Sequence, residues 1–201
     1  MSWAGVTERR VATNGIELNI AEAGKGPLVL LLHGFPESWY SWRHQFAPLA
    51  AAGYHVVAPD MRGYGKSDKP AEITAYNQVE VVNDIIGLIR ALGYEQAVVI
   101  GHDWGAPTAW ATALFHPDKV RAVGGLSVPF MPRSPVQPMP MLRMLFKGQF
   151  FYQLYFQEPG VAEAEFEKDI KGGLRKFLVM AGGETDLTKL PPKTEHDDLL
   201  S

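Results

Sequence analysis

"VVIGHDWGAPTAW", residues 98–110, is the stretch on which the reading of the fold turns. Its apolar start has no polar alternation, the pattern of a strand buried on both faces of a parallel sheet. Gly101 and Gly105 then bracket His102-Asp103-Trp104, and a helix-forming segment, "APTAWATALFHPDKV", follows. A buried strand that runs through such a turn into a helix sets residue 103 at the carboxyl edge of the sheet, facing the crevice where open α/β sheets bind ligands. Helix-end dipole and local amides favour negative charge at that point. The plainer role for Asp103 is to cap the helix; the complete strand–turn–helix pattern points instead to a presented carboxylate.

Working outward, "PLVLLLHG", "HVVAPD", "AVVIGHD" and "RAVGGLSVP" are further short aliphatic runs of the doubly buried kind. "VTERRVATNG" and "IELNIAEAG" alternate instead, and flank Asn14-Gly15, a dipeptide suited to a tight hairpin. Between the runs lie "ESWYSWRHQFAPLAAAG", "YNQVEVVNDIIGLIRALGY", with Val79, Val82, Ile86 and Ile89 on one face, and the helix after Asp103. Strands alternating with helices predict a doubly wound, mostly parallel α/β sheet with right-handed crossovers. After Pro129 the texture changes to "FMPRSPVQPMPMLRMLFKGQFFYQLYFQEPG", then helical "VAEAEFEKDIKGGLRKFLVMAGG" and polar "ETDLTKLPPKTEHDDLLS". The expected organisation is a core over 1–129 and part of a helical lid, or cap, over 130–201.

A chain of 201 residues with 46% hydrophobic content can build one substantial core. Its net charge of −3 and lack of long basic runs point away from nucleic acid and from membranes. The absence of cysteine excludes disulfides and thiolate chemistry, and no run is apolar enough to span a bilayer. A cytoplasmic location is expected.

The residue at the tip selects the chemistry. A serine there requires a neighbouring histidine before it can attack an ester; a carboxylate requires none. Carboxylate attack suits displacement at an sp³ carbon bearing a strained or good leaving group, and leaves an alkyl ester of Asp103. Hydrolysing that ester requires a general base and an oxyanion hole. In hydrolases of this layout one amide of the hole follows the nucleophile and another comes from the loop after an earlier strand, which here gives Trp104 and Phe35. His33 and Pro36 in the same loop, "HGFPES", read as structural: a histidine that ties the loop down and a proline, in either isomer, that fixes its turn. Asp60, Arg62 and Ser67 in "DMRGYGKSD" read as a loop-holding hydrogen-bond network.

"HGFPESWYSWRHQ", "DMRGYGKSD", "GHDWG" and "FYQLYFQEPGVAEAEFE" together resemble the α/β-hydrolase-fold epoxide hydrolases of the soluble type, from about residue 8 onward. The resemblance implies conversion of epoxides and water to vicinal diols through an aspartyl ester, with no cofactor and no metal. Haloalkane dehalogenases share an aspartate followed by tryptophan, but such relatives carry asparagine after His-Gly where this chain has Phe35. The lid segment "YQLYFQEPG" is similar to the part that supplies a ring-opening tyrosine, which falls on Tyr152, with Tyr155 as a substitute one turn away. The implied substrate is a small apolar epoxide held by Phe35, Pro36, Trp104 and Tyr152. A dehalogenase-like hydrolase and a non-catalytic hydrolase-like binding protein are the alternatives.

Relatives of this layout place an acid and then a histidine after the nucleophile. Only His116 and His196 follow Asp103. His116 reads as a helix-end residue; His196, in "KTEHDDLLS", lies in a stretch similar to the late part of the lid. The chain is therefore expected to stop within the lid, without its relay acid and base, and turnover by this chain is in doubt. The last strand would then expose its edge, which favours pairing with another copy as a homo-oligomer.

Overall fold

Strands β1 (Thr7–Thr13) and β2 (Ile16–Ala23) pair antiparallel, with Val11 opposite Leu18, across Asn14 and Gly15 at φ 38° and 76°. Both turn residues thus take the positive φ that the predicted hairpin demands. The computed structural model describes residues 5–132, 134–181 and 192–200, in two compact units, Met1–Phe130 and Met131–Ser201. Much of the polar tail from 184 onward lies outside the described residues.

In the first unit, β2 pairs antiparallel with β4 (His55–Pro59), and β4, β3 (Leu28–Leu32), β5 (Ala97–His102) and β6 (Val120–Leu126) run parallel. The order is β1-β2-β4-β3-β5-β6. Alternation along β3 shows why its run is apolar throughout. Leu28, Leu30 and Leu32 join one buried cluster with Val57, Val99, Ile85 and Ile89, while Val29 and Leu31 join another with Val56, Trp42 and Phe46. Each face needs its own apolar set when both are covered.

Two helical expectations are corrected. The segment after β3 is a 3-10 turn, Trp39–Trp42, followed by α1 (Phe46–Ala51). Pro48 explains the break: in one continuous helix its ring would meet the carbonyl of His44, so the helix starts late enough to hold Pro48 in its first turn. α2 (Gln78–Ala91) forms as predicted, with the Asn77 side chain accepting from Val79 and Glu80 N–H at 3.0 Å. Its buried face is Val82, Ile85, Ile86, Leu88 and Ile89, but Val79 is 54% exposed, one turn too early on the same stripe. α3 (Gly105–Phe115) follows β5 and ends at His116.

The Asp60 carboxylate accepts from Asn19 Nδ2 at 2.9 Å and from the Trp39 and Lys66 amides at 3.0 Å, and Ser67 Oγ donates to its carbonyl. Arg62 turns instead to Asp84 on α2, donating at 2.8 and 2.6 Å. Asn14 Nδ2 reaches the same carboxylate at 3.1 Å, so the hairpin turn, the loop and α2 share one buried anchor.

At the far end of the hairpin, Glu22 accepts from Arg9 Nε at 2.5 Å and lies 3.0 Å from His55 Nε2. The Arg9 guanidinium first, and His55 after it, hold Glu22 below the usual carboxylate range. A depressed folded value contributes stability that is complete above the unfolded value of about 4.3 and is lost as pH falls through the folded one. Glu22→Gln should therefore lower stability at pH 7 by about 0.5–1 kcal/mol, as befits a partly exposed pair, and should flatten the acid limb below pH ~4. Urea unfolding across pH 2–7 reads both effects.

The second unit contains α4 (Pro138–Leu145), α5 (Tyr152–Tyr155), α6 (Val161–Phe166) and α7 (Ile170–Ala181). The stretch expected as a linker thus holds two helices, because prolines at 138 and 140 fall in the first turn of α4, where no donor is missed. The stretch expected as helical holds two helices: the Asp169 carboxylate receives the Gly172 N–H at 2.9 Å and starts α7 afresh. Buried Glu165 gathers Tyr155 Oη and the Leu199 and Leu200 amides at 2.8, 3.1 and 2.6 Å, tying the 192–200 segment to α6.

Candidate active site

β3 and β5 are neighbours in the sheet, with Leu32 opposite Gly101, although almost seventy residues separate them in the chain. Their carboxyl ends therefore deliver the loop 33–37 and the turn 102–105 side by side. Asp103 stands at the tip with φ 51°, a left-handed conformation that aspartate tolerates better than most residues. Its amide donates to the Leu126 carbonyl at 3.3 Å and its carbonyl accepts from Ala106 N–H at 3.0 Å, which anchors the turn to β6 and to α3. One carboxylate oxygen, Oδ1, accepts the Phe35 N–H at 2.9 Å.

The approach is close enough to require glycine on both sides. A Cβ on Gly34 would lie 2.4 Å from that of Asp103, and one on Gly105 would lie 2.2 Å from the Leu32 carbonyl oxygen. Gly105→Ala meets rigid backbone rather than a movable side chain, and should cost about 2 kcal/mol in chemical denaturation. Trp104 heads α3, where amides lack intrahelical partners, and its side chain is 51% exposed beside the carboxylate. The Phe35-Pro36 peptide is cis, and both residues are half-buried.

His33 is fixed at both ring nitrogens: Nδ1 lies 2.7 Å from the Gly34 carbonyl and Nε2 accepts from Met61 N–H at 2.9 Å. Burial lowers its pKa, which suits a neutral ring that donates at Nδ1 and accepts at Nε2. The structural reading of this histidine agrees with these contacts.

Three neighbours of the turn escaped the sequence reading. Glu37 Oε1 lies 3.5 Å from His102 Nδ1, and its other oxygen accepts from Gly34 N–H at 3.4 Å, a second tie between the two loops. Tyr64 packs edge-on to His33 with ring centroids 5.0 Å apart. Burial, and after it the Asp103 charge, push its phenol up to about 12. Glu37 and His102 flank motifs already singled out, in "HGFPE" and "GHD", but only the β3–β5 pairing makes them neighbours.

In the second unit, Tyr152 is half-buried at the start of α5, and its oxygen accepts from Gln153 Nε2 at 3.1 Å. That bond does not consume the phenolic proton. Tyr155 is spoken for: its hydroxyl donates to Glu165, and burial and that carboxylate raise its pKa to about 12. His116 closes α3 as its C-terminal cap. His196 is exposed, with Nε2 3.9 Å from Glu195 Oε1. Among the described residues no group of three His, Cys, Asp or Glu is placed to hold a metal ion, and no helix is long and apolar enough to cross a membrane.

Residues 27–168 match the family described as alpha/beta hydrolase fold, and the chain belongs to that family. It is 51% identical over 174 residues to epoxide hydrolase A of Mycobacterium tuberculosis (strain ATCC 25618 / H37Rv), covering 86% of this chain and 54% of that protein. It is 50% identical over 175 residues to bifunctional epoxide hydrolase 2 of Sus scrofa, covering 87% of this chain and 31% of that protein. The crystal structure of epoxide hydrolase A from Mycobacterium thermoresistibile superposes with a TM-score of 0.88 at 48% identity, covering 94% of this chain and 60% of that one. The chain spans about half the length of the Mycobacterium tuberculosis relative.

Proposed function

We propose that this chain carries the alkylation chemistry of an epoxide hydrolase. An Asp103 carboxylate oxygen attacks one carbon of a small apolar epoxide; the ring C–O bond breaks; the released oxygen takes a proton from Tyr152. The product is a hydroxyalkyl ester of Asp103. Water attack on the ester carbonyl would place negative charge on its oxygen, for which the Phe35 and Trp104 amides are the donors. The observation that carries this reading is the Asp103 carboxylate itself, held at a left-handed turn tip with the Phe35 N–H already on Oδ1 at 2.9 Å. Relatives named epoxide hydrolases at about half identity support the choice of electrophile.

The contribution of the second unit to this scheme is Tyr152. Release of the ester is the step for which no base is assigned. His33 has both ring nitrogens engaged, His55 starts β4 at the opposite edge of the sheet, His116 closes the far end of α3, and His102, next to the nucleophile in the chain, has Nδ1 3.5 Å from the Glu37 carboxylate. The ester should therefore accumulate. Incubation with styrene oxide, followed by intact-protein mass spectrometry and diol analysis, tests the scheme. One epoxide mass per chain and little diol is the expected result. Steady diol formation with no adduct would refute the missing base, and halide release from a haloalkane with no reaction towards the epoxide would favour the dehalogenase alternative.

A further inference from the structure

The Asn14-Gly15 turn carries a reactive pair of its own. Of the four asparagines in the chain, Asn14 alone precedes glycine; Asn19, Asn77 and Asn83 precede isoleucine, glutamine and aspartate. Asparagine is among the thermally labile side chains, because the backbone nitrogen of the next residue can attack its carboxamide carbon, and glycine puts no Cβ in the way of that attack. Both turn residues are exposed, and nothing lies within 4 Å of where a Cβ of Gly15 would stand. The Asn14 carboxamide is nevertheless tied down. Its Nδ2 donates to the Glu80 carbonyl at 3.2 Å, to Glu80 Oε2 at 2.9 Å and to Asp84 Oδ1 at 3.1 Å, all on α2. One residue earlier, the Thr13 hydroxyl donates to the Asp84 carbonyl at 2.9 Å.

We propose that Asn14 is a deamidation site gated by these contacts: its amide converts to aspartate or isoaspartate when the turn opens away from α2, and the conversion then keeps the turn from closing. The Gly15 nitrogen gives its proton to solvent and attacks Asn14 Cγ; the Cγ–Nδ2 bond breaks and ammonia leaves; water opens the resulting succinimide at one carbonyl to aspartate or at the other to isoaspartate. Water is the co-reactant, and nothing is oxidised or reduced. To reach the Gly15 nitrogen the carboxamide has to leave its acceptors on α2, two of which are carboxylate oxygens that hold an amide donor more strongly than neutral acceptors do. The closed turn thus protects Asn14, and local opening exposes it. In either product a carboxylate replaces the donor and faces Glu80 and Asp84, so three negative groups meet where Arg62 reaches Asp84. Isoaspartate also adds a backbone carbon to a turn whose φ values of 38° and 76° fit the twist of the flanking strands. The anchor shared by hairpin, loop and α2 is lost on its hairpin side. This site belongs to the first unit alone and is independent of the epoxide chemistry.

The test follows the tryptic peptide Val11–Lys25, which holds Asn14 and the buried Asn19 together, with Asn77 and Asn83 read in the same digest. The full chain is incubated in mildly alkaline buffer, folded and in guanidinium chloride side by side. Tandem mass spectrometry reads the replacement of NH2 by OH, and chromatography separates aspartate from isoaspartate. Asn14 should convert at least about tenfold faster in denaturant than in the folded chain. Glu80→Ala, which removes the acceptor at 2.9 Å, should speed conversion in the folded chain about fivefold and leave the rate in denaturant unchanged. Glu95→Ala, on an exposed carboxylate outside the cluster, should change neither rate. Asn14→Asp, which makes the aspartate product directly, should raise the unfolding equilibrium constant in urea about tenfold. Circular dichroism of each variant establishes that it is folded. The proposal is overturned if Asn14 converts no faster in denaturant, if another asparagine converts before it in the folded chain, if Glu80→Ala and Glu95→Ala act alike, or if Asn14→Asp is as stable as the parent.

Discussion

Asp103→Asn should reduce epoxide adduct formation about 10,000-fold or more, the scale on which loss of a nucleophile registers. The asparagine oxygen can still accept the Phe35 N–H, so the contact between the loops at 2.9 Å survives. The residue also keeps the φ of 51° at little cost, because asparagine tolerates the left-handed region as well as aspartate does. What disappears is the negative oxygen. The Asp103→Asn variant should therefore keep its denaturation midpoint within about 0.5 kcal/mol of the parent while the adduct vanishes. A variant that lost both stability and adduct would instead make Asp103 a capping residue, the plainer role that its position admits. Time-resolved intact mass spectrometry beside urea unfolding separates the two.

Tyr152→Phe should slow alkylation about 1,000-fold, within the range lost when a positioned proton donor is removed. An epoxide that opens without a donor must release an alkoxide, and phenylalanine has no proton to offer it. Tyr155→Phe is the matched control. The Tyr155 proton is committed to Glu165 at 2.8 Å, so its loss should change the alkylation rate less than about threefold while costing about 1 kcal/mol of stability from the deleted hydrogen bond. Equal rate losses for the two variants would mean that the second unit contributes order rather than a specific proton. The rates are read with saturating epoxide in single-turnover mode, so that binding and bond formation are separated.

The sheet was legible because β3, β4 and β5 are buried on both faces and therefore written in unbroken aliphatic residues. The hairpin was legible because few dipeptides other than Asn14-Gly15 accept two consecutive positive φ values. Helix continuity was not, since it depends on single residues that periodicity ignores: Pro48 breaks the segment after β3, and Asp169 restarts the one after α6. At the site, the turn around Asp103 could be read from glycine spacing, and the Phe35 amide was named from the layout that hydrolases of this kind share. Glu37, His102 and Tyr64 could not, because only the β3–β5 pairing and the packing of the loop after β4 bring them near.

Tandem mass spectrometry of the proteolysed chain after reaction with styrene oxide is the most direct test of the account. One ester, carrying the mass of one intact epoxide and mapping to Asp103 within "VVIGHDWGAPTAW", is the predicted result, and mild alkaline hydrolysis should remove it as the diol. Modification spread over histidines and lysines, or confined to any residue other than Asp103, would contradict the assignment of this carboxylate as the nucleophile.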